Sequence, residues 1–203
     1  MKDLHVVACI PSQEMWHADF AKAFTMMCMR FQKVKLADKS QRLSIVNVKS
    51  SMLPQNREQA AEKALEIGAT HMLWLDTDMV FPANLVERLL AHKQKFVAAN
   101  CAMKELPPKA TAIDLEGERV DSRGNGGLTR VQHVGLAVAL LDAGLFADLP
   151  KPWFPFVWMD ELQAYCGEDV AFCRRLLEKD VRLLVDNDLS REVFHIGSYR
   201  YGL

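Results

Sequence analysis

Asp76-Thr77-Asp78 follows the apolar run His71 to Leu75 and sets two carboxylates either side of one threonine. Carboxylate oxygens at that spacing can share a hard divalent cation, and Mg²⁺ or Mn²⁺ bound in this way keeps waters and takes up substrate phosphates. A solvated turn with helix-capping acids is the other reading of the same triplet. Gly167-Glu168-Asp169 opens a helical stretch. Acids in a first helical turn are favoured by the macrodipole. A carboxylate there could equally take a proton from an acceptor hydroxyl as a general base. His195 closes an apolar segment. An imidazole added to a carboxylate site suits Mn²⁺, and a structural histidine is the alternative. Arg57 stands at the start of a helix after Pro54-Gln55-Asn56, where helix N-terminus and guanidinium together suit an anion. A surface arginine is the plainer reading. Trp153, Phe154, Phe156 and Trp158 crowd one Pro-rich stretch and either stack on a sugar or base or seal the core. The other histidines have no such setting.

These residues need elements to hold them. Leu4 to Ile10 is apolar and rich in β-branched residues, closed by Pro11-Ser12, and predicts a buried strand. Glu14 to Phe31 has apolar positions at helical spacing. Ser44 to Val48 predicts a second strand. Asn56 to Ile67 predicts an amphipathic helix ended by Gly68. His71 to Leu75 predicts a third strand, running straight into Asp76. Pro82 opens a helix to about Lys93, and Lys95 to Ala99 predicts a fourth strand. Such alternation predicts an α/β fold, a mostly parallel sheet with helices on both faces. Ligands then bind at the carboxyl ends of the strands. Pro11-Ser12, Asp76 to Asp78 and Asn100 all fall at such ends. The later half reads as one or two strands in Thr129 to Leu141 around Gly135, a loop over Lys151 to Trp158, a helix from Gly167 to Asp180, a strand over Val181 to Val185, and a polar tail from Ser198 to Leu203.

With 203 residues, half of them hydrophobic, the chain suits one domain over 1–203. Residues 1–100 would form a nucleotide-binding half and 101–203 an acceptor and catalytic half. A formal net charge of -1 gives no global pull toward nucleic acid or anionic lipid. Five cysteines without CxxC spacing argue against a zinc ribbon and for reduced thiols in a cytoplasmic protein. No apolar stretch is long enough to span a bilayer.

PQNREQAAEKALEIGATHMLWLDTDMVFP, from Pro54, closely resembles the nucleotide-binding segment of GT-A-fold glycosyltransferases of the family-two type. GEDVAFCRRLLEKDVRLLVD, from Gly167, resembles their acid motif and following helix. Phe194-His195-Ile196-Gly197 resembles their closing metal-ligand histidine. The resemblance implies a single Rossmann-like GT-A domain and a nucleotide-sugar donor, a UDP-sugar. It implies that Pro11, Ser12, Gln13 and Glu14 contact base and ribose, that Arg57 holds the nucleotide, and that Asp76, beside Thr77, takes the ribose. Asp78 and His195, with Asp76, would hold Mn²⁺ or Mg²⁺. Asn100 and Lys104 would lie by the donor sugar or its phosphates. Asp169 would be the base, with Glu168 its neighbour and substitute. Trp153 to Trp158 would border the acceptor, a glycan, a lipid-linked glycan or a hydroxymethylated DNA base. For a DNA base, Lys93, Lys95, Lys104, Lys109, Arg119, Arg123 and Arg130 would supply a basic groove. Direct displacement would invert the anomeric centre. Three rival readings fit the same residues less well: a haloacid-dehalogenase-type phosphohydrolase with Asp76 as nucleophile, a nucleotidyltransferase lacking its Gly-rich loop, and a non-catalytic nucleotide- or glycan-binding module.

Overall fold

The computed structural model describes residues 3–36, 40–160, 163–197 and 199–202. Met1 and Lys2 of the N-terminus, and Ser198 and Leu203 of the tail, lie outside the described residues. In chain order the elements are β1 (Leu4–Ser12), α1 (Ala18–Phe31), β2 (Gln41–Lys49), α2 (Leu53–Glu66), β3 (His71–Leu75), β4 (Met79–Val80), α3 (Leu85–Ala91) and β5 (Phe96–Ala98). There follow β6 (Ile113–Asp114), β7 (Leu128–His133), β8 (Val138–Asp142), β9 (Val157–Met159), β10 (Ala164–Cys166), α4 (Glu168–Leu177), β11 (Leu183–Asp186), α5 (Asn187–Ser190), β12 (Phe194–Ile196) and β13 (Arg200–Tyr201).

Eight strands form the main sheet in the order β2-β1-β3-β8-β5-β11-β7-β6. β1 runs parallel to β2 and β3, and β5 parallel to β11. β8 lies between β3 and β5 and runs against both, and β7 is likewise reversed beside β11. The other strands share one direction, so the sheet is mostly parallel. β1 is buried along its whole length, as a central strand covered on both faces must be. One face packs α1 and α3 through Phe20, Phe24, Met27, Leu85 and Leu89 against Ala8, Ile10, Leu73 and Leu75. The other packs α2 and α4 through Ala60, Ala64 and Phe172 against Val7, Cys9, Met72 and Trp74.

Local chemistry shifts several element boundaries. α1 begins later than the periodicity predicts, because the His17 ring accepts a hydrogen bond from Asp19 N and caps the helix there. α2 begins earlier, because Pro54 fits a first helical turn. The Thr129 to Leu141 stretch becomes two strands, β7 and β8, separated around Gly135.

A second, three-stranded sheet of β13-β12-β4 decides the site. His195 pairs with Met79, and Ile196 N donates to the Asp78 carbonyl at 2.8 Å. This backbone tie carries the end of the chain to the end of β3.

Candidate functional site

The carboxyl ends of β1 and β3 border a cleft of about 520 Å³, lined by Pro11 to Met15, Ser50, Ser51, Leu53, Asn56, Asp76, Thr77, Asp78 and Lys104. Its floor is fixed by short bonds. Asn56 Nδ2 donates to the Ser12 and Ser50 carbonyls, and Thr77 O accepts from His17 N. Pro11, Ser12, Gln13, Glu14, Asp76, Thr77, Asp78 and Lys104 are thus brought together.

Asp78 meets His195 and Lys104 at the cleft mouth. Its Oδ2 is 3.2 Å from His195 Nε2 and 2.5 Å from Lys104 Nζ. His195 Nδ1 lies 3.0 Å from the Ala102 carbonyl. Only a protonated Nδ1 can donate to a carbonyl, so Nε2 is left facing Asp78: it donates to the carboxylate when the ring is cationic and offers a lone pair when the ring is neutral. Burial pushes the Asp78 carboxyl up. The hydrogen bonds and charges of His195 and Lys104 outweigh that and hold it near 2. Asp76 moves the opposite way. Burial raises it, the neighbouring Asp78 and Glu168 charges add to this, and Arg57 only partly offsets them. Among the described residues no cluster of three or more His, Cys, Asp or Glu side chains is preformed around one metal position.

Beneath the cleft lies a buried ion network. Arg57, only 2% exposed, donates from Nη2 to both Asp76 oxygens at 3.0 and 3.3 Å and from Nε to Glu168 at 3.1 Å. Its guanidinium lies over the Trp74 ring. The resemblance implies that Arg57 holds the nucleotide. In the structure Arg57 is not among the residues lining the cleft; its Nη2 and Nε are taken by Asp76 and Glu168, and its Nη1 is buried without a hydrogen-bond partner. Glu168, buried and held by Arg57, is likewise engaged rather than free to substitute as a base.

Asp169 is the second residue of α4, whose N-cap, Gly167, offers no side-chain cap. Its Oδ1 accepts from Val170 N, while Oδ2 points toward Gly135. A Cβ at 135 would stand in ordinary contact with both, 3.5 Å from Thr111 Oγ1 and 3.7 Å from Asp169 Oδ2. Thr111 Oγ1 is buried without a partner, and His133 is close enough to feel the Asp169 charge. Sequence reasoning missed Thr111, Gly135 and His133, since no motif joins them. Only the split of β7 from β8 at Gly135 hinted at this corner.

Other assignments change. Asn100 is fully buried; its Nδ2 donates to Val120 O and Ser122 Oγ, and its Oδ1 accepts from Ala112 N. It ties loops together and offers nothing to a donor sugar. Trp153 and Phe154 belong to the core, not to an acceptor surface. Their backbone N–H groups donate to Glu58, Trp153 Nε1 donates to Leu149 O, and Phe154 packs on Trp74 and Phe172. Phe156 and Trp158 are 58% and 46% exposed. Trp158 stacks edge-on with Tyr165 across the β9–β10 pair, which leads directly into Glu168 and Asp169. The basic residues do not form one groove. Lys93 and Lys95 line a separate cavity at the opposite pole of the sheet. Lys109 pairs with Glu105, and Arg119 and Arg123 bond backbone carbonyls.

The sheet order, with reversed β8 inserted between β3 and β5, and the strand-end cleft define the chain as a GT-A fold. Solved structures share it. The chain is similar to A197 from STIV with a TM-score of 0.61 and 14% identity, covering 96% of this chain and 86% of that one. It is also similar to S. aureus TarS 1-349 in complex with UDP-GlcNAc, with a TM-score of 0.50 and 14% identity, over 91% of this chain. The match spans 56% of that TarS chain. No family model and no curated protein matches the sequence. No described helix is long and apolar enough to cross a membrane.

Proposed function

We propose that this chain is a glycosyltransferase that takes the sugar of a nucleotide-sugar donor, a UDP-sugar, and passes it to an acceptor hydroxyl with inversion. One observation carries the reading: Asp78, His195 and Lys104 converge at the mouth of a strand-end cleft whose wall is Pro11 to Met15. The fold is shared with TarS, whose structure holds UDP-GlcNAc, and this supports UDP as the nucleotide.

The residues fit a divalent cation. An imidazole nitrogen and a carboxylate oxygen face each other, with the imidazole oriented by a carbonyl behind it. Asp78 and His195 would hold Mn²⁺ or Mg²⁺, which when bound neutralises charge on the departing diphosphate. Ser12 to Glu14 wrap the nucleotide. Arg57 holds Asp76 in position at the ribose. Asp169 Oδ2 takes the proton of the acceptor hydroxyl as the new glycosidic bond forms. Phe156, Trp158 and Tyr165 present the acceptor along the exposed β9–β10 edge. The phosphohydrolase reading needs Asp76 as a free nucleophile, and Arg57 engages both of its oxygens.

Incubation with Mn²⁺ and a panel of nucleotide sugars, followed by measurement of free nucleotide, tests the proposal. UDP release from a UDP-sugar is expected. Calorimetric binding of GDP, CDP or TDP more tightly than UDP would overturn the donor assignment.

A further inference from the structure

We propose that Lys104 is a built-in stand-in for the divalent cation. Its ammonium, paired with Asp78, takes the cation's place whenever no cation is bound and moves onto the donor diphosphate when the cation arrives. The inference rests on the glycosyltransferase reading above and deepens it.

Lys104 Nζ and His195 Nε2 both approach Asp78 Oδ2, at 2.5 and 3.2 Å. The Asp78 oxygen nearest His195, where a metal shared by the two would sit, is therefore already paired with an ammonium. An ammonium and a divalent cation within a few ångströms of one oxygen repel each other strongly, so the two occupancies exclude one another. The loop that carries Lys104 also orients the histidine, since the Ala102 carbonyl accepts from His195 Nδ1. While Lys104 holds Asp78, the metal ligands stay aligned without the metal.

The side chain has room and somewhere to go. Its stem lies against Gly197, where a Cβ would stand 3.3 Å from Lys104 Cδ; glycine keeps that channel open. Lys104 is 40% exposed on its side chain and lines the same cleft as Ser12 to Met15. A lysine is a mobile point charge on a flexible stem and a common phosphate partner. Released from Asp78, the ammonium remains within the cleft that would receive the diphosphate.

Lys104→Met keeps the stem and removes the charge. Mn²⁺ titration of the nucleotide-free protein, followed by the electron paramagnetic resonance signal of free Mn²⁺, should show binding about fivefold tighter than wild type, the scale of a partly exposed ion pair. In saturating Mn²⁺, calorimetry should show UDP binding about tenfold weaker, the scale of one lost charged hydrogen bond. Lys104→Met binding Mn²⁺ no more tightly, or UDP no more weakly, overturns the inference while leaving a metal-dependent transferase in place. If neither wild type nor Lys104→Met binds Mn²⁺, with or without UDP, the metal itself is wrong and the inference falls with it. Asp78→Asn, expected to abolish Mn²⁺ binding, identifies the site being titrated.

Discussion

Asp76 and Asp78 leave the same strand end, yet their surroundings push them apart. Asp78 accepts from Lys104 and His195 and is held near 2. Asp76 is raised by burial and by two neighbouring acids. Carboxyl-carbon NMR should therefore find Asp78 titrating below, and Asp76 above, the ordinary aspartate value of about 3.9; the reverse order would exclude Lys104 and His195 as the partners of Asp78. The sign on stability follows. Depressed Asp78 stabilises the fold above its unfolded value, and that contribution is lost as pH falls from about 4 toward about 2. Raised Asp76 opposes folding when ionised, and acidification through its native value relieves it. Asp78→Asn should flatten the acid limb of a Tm-against-pH curve. Asp169→Asn should keep UDP-sugar affinity while turnover falls about 10²–10⁴-fold; near-normal turnover would leave Asp169 a first-turn acid of α4 and nothing more. Asp76, Asp78 and Asp169 stand out in the sequence because each lies beside the end or start of an element with a clear pattern, and His195 because it follows an apolar segment. Lys104 facing Asp78, and Thr111 and Asp169 both lying beside Gly135, were not legible, since nothing in the spacing of 78, 104, 111 and 169 records that these segments meet.

Three elements are joined by one side chain: Arg57 reaches from α2 to Asp76 after β3 and to Glu168 on α4. Arg57→Met would leave two carboxylates without their cation, one of them buried, and should cost about 3–5 kcal/mol in denaturant unfolding. Arg57→Lys should not restore it, because an ammonium cannot serve Asp76 and Glu168 through the separate donors of a planar guanidinium. A loss below about 1 kcal/mol would show the network to be solvated. The aromatic stretch divides between elements in the same way. Phe154→Ala should cost about 3–5 kcal/mol, the range for a buried phenylalanine. Trp158→Ala, on an exposed strand, should change stability by about 0.5 kcal/mol or less and raise the acceptor KM instead. The sequence showed an aromatic run but not its division, because burial of 153 and 154 depends on Glu58 capturing their backbone from α2. Helix and strand identities in the first hundred residues were legible from periodicity. The β9–β10 pair was not, being two strands of three residues each beside a Pro-rich stretch.

Over the whole molecule, the alternation of strands and helices disclosed the class of fold but not the directions of β7 and β8, since an apolar run of five residues is the same in either direction. All five cysteines are free, and Cys28 alone is not buried. Burial pushes the Cys9 and Cys101 thiols up and Cys173 to about 12. A thiol-labelling mass spectrum should show Cys28 modified first, with the others following only on unfolding. β8 has a consequence for how the chain assembles. β3 and β5 both need β8 between them, and β8 lies some forty residues beyond β5. When the first hundred residues have left the ribosome, β3 still lacks its neighbour on one side and β5 has no partner on either, since β11 too is unmade. A nascent chain halted there would present open strand edges, the state in which chaperones capture polypeptides and aggregates nucleate. Closure of the sheet waits for β11, and the joining of Asp78 to His195 waits until the chain has been made as far as β12.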